Sequence, residues 1–328
     1  NVKLEYSPDN SGTWVTIAAN DAGHTAGANT YTWASVPDEK TEQALVRISD
    51  VDATNFPDVT STSAAFFSIR PVLTVSAPTA SQVFVANSNN AGAITWSING
   101  TTKVATVDAY YSVGGGAYTA IASCANVTAS TGSCAWNNVP DAISNNVVVK
   151  VLDDSMTPPA NANVFGLSAT AKITGGLAIT APLGGLPWDT GTSQSVTWNF
   201  NGSGRTTNVY YDSNSGKGAD NLASTADDYN TYTAIGTVLH PAGASGTASF
   251  AWTVPLGVVN TGRVKVRDAS DTAVASEGTD FKLGARFDLT SPENGEIIYA
   301  GASHTITWTP FTTTGVTDVK IEYANDDP

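Results

Sequence analysis

The chain has 328 residues, of which 41% are hydrophobic and 9% aromatic, enough for real cores and incompatible with global disorder. Only 13% are charged, and 29 Asp and Glu against 15 Lys and Arg leave a net charge of −14, which disfavours nucleic acid and anionic lipid and favours solubility and divalent cations. Thr, Ser, Asn, Ala and Gly fill the polar positions, a composition of secreted all-β repeat proteins rather than of cytosolic enzymes, and no apolar run approaches the length of a membrane span.

Residues 1–70 read as five strands. Val2-Lys-Leu-Glu-Tyr6 alternates, Ser7 to Gly12 turns, and Trp14 to Ile17 alternates again. Thr30 to Trp33 leads into the corner Val36-Pro37, Ala44 to Ile48 ends in Asp50-Val-Asp52, and Ala65 to Ile69 closes the unit. No window carries a helical apolar stripe.

Residues 71–174 repeat this order with two strands added in front, Val72 to Val75 and Ala93 to Ile98. Then come Val107 to Tyr111, Ala117 to Ile121, Cys134 to Trp136 with the corner Val139-Pro140, Val147 to Val151 with Asp153-Asp154, and a last strand from Leu167 to Ile173. Seven strands in about 100 residues is the rhythm of an immunoglobulin-like sandwich.

Residues 175–284 run through the scheme again: Leu177 to Thr180, Gln194 to Phe200, Asn208 to Tyr211, Tyr232 to Ile235, Ser249 to Trp252 with Val254-Pro255, Arg263 to Arg267 with Asp268, and Asp280 to Leu283. A long loop, 214–230, is inserted between the third and fourth strands. Residues 285–328 begin a fourth copy and reach its third strand, Val319 to Tyr323. Tryptophans 96, 198 and 308, each on the second strand of its copy, mark the period at spacings of 102 and 110 residues. Short junctions at Arg70-Pro71, Thr174 to Gly176 and Gly284 to Arg286 predict a stiff rod of tandem all-β, fibronectin III-like sandwiches. The chain opens on Asn1 in mid-pattern, which fits a window of a longer polypeptide or a processed polymer subunit.

Ser291-Pro-Glu-Asn-Gly-Glu-Ile-Ile-Tyr-Ala-Gly-Ala-Ser-His-Thr-Ile-Thr-Trp308, with Ala181 to Gly191 followed by Val196-Thr-Trp198, resembles the Ig-like domain of the yeast serine/threonine-rich cell-wall glucan-assembly family, and more closely its bacterial relatives in very large tandem-repeat surface proteins. Gly12-Thr-Trp14, Tyr31-Thr-Trp33 and Val46-Arg-Ile-Ser-Asp50 share the pattern; Ala77 to Val83 departs from it, lacking the paired glycines and the aromatic. The resemblance implies no catalysis and a cell-surface structural or adhesive role. Neighbouring copies or flanking repeats are the expected partners, with cell-surface polysaccharide or protein as the wider class.

The candidate sites follow from these loops. Asp50 and Asp52, Asp153 and Asp154, and Asp268 and Asp271 fall in equivalent loops after the sixth strand, at the pole facing the preceding repeat, where calcium could bridge; the plain alternative is a solvated turn with Asp capping amides. Asp220, Asp227 and Asp228 make the 214–230 loop a second calcium candidate, though without the spaced ligand ladder of a calcium-binding loop. Trp188, between Pro187 and Asp189, could stack on a sugar or cover the sandwich edge, and Tyr210 or Tyr211 could join it. Tryptophans 14, 33, 96, 136, 198, 252 and 308 fall on apolar phases and are assigned to cores. Cys124 and Cys134, read as lying on two arms of one hairpin, fit a local disulfide; with no further His or Cys near, zinc is not expected. Asn99, Asn126 and Asn201 open N-glycosylation sequons. No Ser/His/Asp or Cys/His set is recognisable, so the chain reads as a non-catalytic extracellular repeat region, with head-to-tail self-assembly as the sharper form. The rival reading is a carbohydrate-binding accessory region of a secreted enzyme.

Overall fold

A computed structural model describes residues 1–25, 27–51, 59–99, 103–154, 164–185, 187–215, 232–241, 244–311 and 316–324. The chain divides into two compact units, one of residues 1–84, 88–139 and 144–173, the other of 85–87, 140–143 and 174–328. The described elements are strands and two 3₁₀ turns, and no helix is long and apolar enough to cross a membrane.

The first unit begins with β1 (Val2–Ser7), β2 (Val15–Asp21), β3 (Thr41–Asp50), β4 (Thr60–Thr62) and β5 (Phe67–Ile69), paired in the order β2-β1-β3-β4 with β5 also on β3. Tyr6, Ala44 and Ile69 form a small core with Ile17, Trp33, Val46 and Phe67 against it. There follow β6 (Val72–Ala77), β7 (Val83–Val85), β8 (Asn90–Asn99), β9 (Thr106–Val113), β10 (Thr119–Ala120), β11 (Val127–Thr128), β12 (Ser133–Trp136), β13 (Ser144–Asp153), β14 (Phe165–Leu167) and β15 (Ala171–Thr174). One sheet runs β12-β8-β6 and the other β10-β9-β13-β15-β7. First, second and fifth strands on one sheet facing third, sixth and seventh on the other is the immunoglobulin-like arrangement. Alternation along β13 sends Val147, Val149 and Val151 inward, all fully buried, and Ile94 and Trp96 of β8 and Trp136 of β12 are buried on the facing sheet. The Trp96 indole N–H donates to the Ala129 carbonyl at 2.9 Å, so the ring fills the core without an orphaned polar atom.

The second unit repeats the architecture with β16 (Gly176–Ala181), β17 (Trp188–Asp189), β18 (Ser193–Asn201), β19 (Thr206–Asp212), β20 (Thr233–Leu239), β21 (Ser245–Thr253), β22 (Val259–Asp268), β23 (Ala275–Glu277) and β24 (Phe281–Gly284). The sheets are β16-β18-β21 and β17-β24-β22-β19-β20, with β23 on β22. Val196, Trp198 and Phe200 of β18 meet Val209, Val264, Val266 and Phe281 in one buried cluster. A hairpin of β25 (Phe287–Ser291) and β26 (Thr307–Pro310) ends the described strands. The fold is therefore all-β and built of Ig-like, fibronectin III-like sandwiches.

Four local expectations change. Thr30 to Trp33 makes no strand, because the strand that pairs with its counterparts β12 and β21 is the tryptophan strand, β8 or β18, and the described residues of 1–70 hold no such strand. Leu167 to Ile173 is two strands, split where the Ser168 hydroxyl takes the Val149 N–H at 2.9 Å and its own N–H goes to the Val149 carbonyl. Cys124 sits in the 3₁₀ turn Ala122–Cys124, closed by its N–H on the Ile121 carbonyl, and only Cys134 lies on a strand. Val319 to Tyr323 is not paired as a strand.

Candidate functional site

The loops after the sixth strand are where the sequence placed its acidic clusters. Asp153, the last residue of β13, has a fully buried side chain whose carboxylate takes a hydrogen bond from Lys40 Nζ at 2.8 Å. Asp268, the last residue of β22, is 2% exposed and is bound by the Arg205 guanidinium and by the N–H groups of Ser270 and Asp271 at 2.7 and 2.9 Å. Burial pushes its pKa up, but Arg205 and the two amides outweigh that and hold the carboxyl below its ordinary value. Asp271 caps the Ala273 N–H, Asp154 is half-buried, and Asp50 ends β3 half-buried. At Asp153 and Asp268 the counter-charge is thus a cation of the protein itself, in the position the sequence had offered to calcium. Among the described residues no three His, Cys, Asp or Glu side chains are grouped to hold a metal ion. Asp52, Asp220, Asp227 and Asp228 lie outside the described residues. Lys40 and Arg205 escape sequence reasoning because neither is adjacent in sequence to its partner. The available signal is the scarcity of cations in this chain.

The outer face of the same strand carries a second recurring feature. Arg47 of β3 lies over the Trp14 ring at 4.1 Å, Lys150 of β13 lies over Phe165 at 4.3 Å and Tyr118 at 5.6 Å, and Lys265 of β22 lies over Tyr232 at 5.2 Å. These cations occupy the same register: Tyr6↔Val46 and Leu4↔Ile48 flank Arg47 as Tyr211↔Val264 and Val209↔Val266 flank Lys265. Trp14 is accordingly half-buried under a guanidinium rather than in a core. Trp33 is also half-buried, and Trp308 is 36% exposed; Trp96, Trp136, Trp198 and Trp252 are buried as expected.

The aromatics weighed for sugar stacking, Trp188 with Tyr210 or Tyr211, pack against other side chains. Trp188, on β17, pairs parallel with β24 and its ring packs on Phe281 at 5.3 Å and Trp252 at 6.2 Å, half-buried over the sandwich edge. Tyr211 packs on Trp252 at 4.8 Å, and burial pushes its hydroxyl pKa up to about 12. Tyr210 lies under Arg267, whose guanidinium also donates to its hydroxyl at 2.9 Å.

A polar group in the second core was not anticipated. His240 is 5% exposed, stacks on Phe200 at 4.1 Å, and shares Nε2 with the Thr207 hydroxyl at 2.6 Å and the Trp198 indole N–H at 3.5 Å. Burial lowers its pKa below the ordinary 6.5, so the ring is held neutral. Cys124 and Cys134 are bonded, Sγ to Sγ at 2.06 Å. Of the sequon asparagines, Asn99 and Asn126 are exposed and Asn201 is half-buried at the end of β18.

Two clefts are lined mainly by apolar side chains. One, about 390 Å³, lies over the hairpin and is lined by Phe287, Leu289, Ile306 and Trp308 together with residues 318–322. The other, about 300 Å³, is lined by residues that include Tyr6, Val15, Ile17, Tyr31 and Trp33.

No family model matches the chain, and no curated protein matches it in sequence. Solved structures do. Fibronectin(III)-like modules of CbhA from Clostridium thermocellum align over 65% of this chain and 93% of theirs at 14% identity, with a TM-score of 0.21. A complex of Dpr2 Ig1-Ig2 with DIP-Theta Ig1-Ig3 aligns over 85% and 88% at 12% identity and TM-score 0.23, and the N-terminal four Ig domains of Dscam1 isoform 8.4 over 86% and 66% at 13% identity and TM-score 0.23. With superpositions this loose, it is the strand order and the pairing of the two sheets that identify the sandwiches as Ig-like.

Proposed function

We propose that the chain is a non-catalytic structural and adhesive stretch of tandem Ig-like modules, carried outside the cell as a stiff part of a surface protein or filament. The carrying observation is that the same sandwich scheme recurs in register along the chain, down to the cation over an aromatic on the sixth strand, with side chains spent on packing and cross-strand pairing. The Cys124–Cys134 bond supports an oxidising compartment. In this reading residues 71–174 and 175–284 are complete modules, 1–70 and 285–328 are parts of modules, and flanking repeats or further copies are the partners. The rival, a carbohydrate-binding accessory role, needs an exposed aromatic platform, whereas Trp188 and Tyr211 are half-buried against Phe281 and Trp252.

The test is co-sedimentation of the 328-residue chain with insoluble cell-wall polysaccharides, alongside turnover assays with chromogenic glycosides and esters. The expected result is no product and no saturable depletion. Saturable depletion lost on Trp188→Ala would favour the rival, and product release that scales with the protein would overturn the non-catalytic reading.

A further inference from the structure

Arg47, Arg70, Arg205, Arg263 and Arg286 each pair with a carboxylate. Arg267 is the arginine that makes no ion pair among the described residues. One of its terminal nitrogens donates to the Tyr210 hydroxyl at 2.9 Å, and its guanidinium lies over the Tyr210 ring at 5.1 Å. Its Nε–H is buried and has no acceptor among the described residues. In a chain with 29 acidic and 15 basic residues, that does not reflect a shortage of carboxylates.

The space beside it is lined by donors. Val264 and Val266 of β22 are fully buried, so Lys265 and Arg267 fall on the opposite face of the sheet. There, with Tyr210 and Tyr232, they line a void of about 30 Å³. A water needs about 10–15 Å³, so the void admits one water-sized ligand and not a sugar ring or a phosphate ester. Lys265 is 4% exposed, and Glu277 at 2.8 Å balances its ammonium. The Tyr232 hydroxyl is buried and, like Arg267 Nε, finds no hydrogen-bond partner among the described residues. Burial, helped by the charge of Glu277, pushes its pKa up, so the hydroxyl keeps its proton and is a donor. The uncompensated charge of the site is therefore the single one of Arg267, and no carboxylate among the described residues lines the void. A water there would turn its own hydrogens toward two cations, whereas an anion accepts from guanidinium and phenol alike and cancels the charge.

We propose that this void is a binding site for one small monovalent anion, a halide such as chloride, held by the Arg267 Nε–H and the Tyr232 hydroxyl beside the Lys265 ammonium. Tyr232 directly precedes β20 and Arg267 lies on β22, strands that flank β19 on its two sides, so the ion bridges the sheet across β19. The preceding sandwich lacks the site. Its Lys150↔Tyr110 and Leu152↔Asp108 match Lys265↔Tyr210 and Arg267↔Asn208, which puts Leu152 where Arg267 stands.

Chloride NMR line broadening on the whole chain tests this, at fixed ionic strength with gluconate, too large for the void, replacing chloride. The wild-type chain is expected to broaden the chloride resonance saturably, and bromide to relieve the broadening by competition. Arg267→Leu, which installs the residue of the preceding sandwich, should weaken binding at least roughly tenfold, and Tyr232→Phe, which removes one hydroxyl, should weaken it severalfold; circular dichroism establishes that both are folded. Absence of saturable broadening up to sub-molar chloride would mean that the void holds water alone and would overturn the inference. So would folded Arg267→Leu and Tyr232→Phe variants that broaden chloride as the wild type does, since the ion would then sit elsewhere. Either result leaves the non-catalytic reading untouched.

Discussion

The Lys40–Asp153 pair sets the energetics at the residue scale. A carboxylate with no exposed surface needs its cation, and removing one partner of a buried pair costs about 3–5 kcal/mol, much of it for the stranded charge. Lys40→Met should lower the unfolding free energy read from urea melts by that order, and Lys40→Met with Asp153→Asn should recover a large part of the loss. His240 supplies the pH dependence. Its folded pKa lies below the 6.5 of the unfolded chain, so its contribution is fully present above pH 6.5. As the pH falls below that value the unfolded chain binds a proton that the folded one resists, and stability is lost. The wild type minus His240→Gln difference in melting temperature should therefore shrink as the pH drops from 7 through the region below 6.5. Both residues were invisible to pattern reading: one is a lone histidine in a loop, the other a lysine 113 positions from its partner.

At the scale of elements, β14 illustrates close approach. A Cβ on Gly166 would come within 2.6 Å of the Leu73 carbonyl oxygen, a backbone atom of β6 that cannot swing aside. Gly166→Ala should cost about 1–3 kcal/mol in denaturant melts. A matching loss of amide protection in β14 and β6 by hydrogen exchange would place the damage. The strands themselves were largely legible, because period-two alternation and turn residues located the main strands of the sheets. Strands that depend on a distant partner were not. Val319 to Tyr323 has the right pattern and no pairing, and β7, β17 and β23 are too short to show alternation. The candidate sites were harder still. For Trp188 the sequence left sugar stacking and edge cover both open, a choice that needs the pairing of β17 with β24, and the acidic loops showed their acids but not their cations.

For the whole molecule, charge and apolar surface act in opposite directions. The chain carries a net charge of −14, a self-repulsion that salt screens, while burial of the apolar cores does not depend on it. Stability should therefore rise as sodium chloride goes from low to moderate concentration, read as an upward shift of the urea midpoint; a fall would mean that surface ion pairs outweigh the self-repulsion.

The second-strand tryptophan, which marks the period in the sequence, also has an optical meaning. Trp96 and Trp198 already sit in water-free surroundings, while Trp308 and Trp33 do not. Rings in apolar surroundings emit to the blue and wetter rings to the red, so Trp308→Phe should shift the native emission to the blue and Trp96→Phe should shift it to the red, an unlabelled report on which tryptophans the sandwiches enclose.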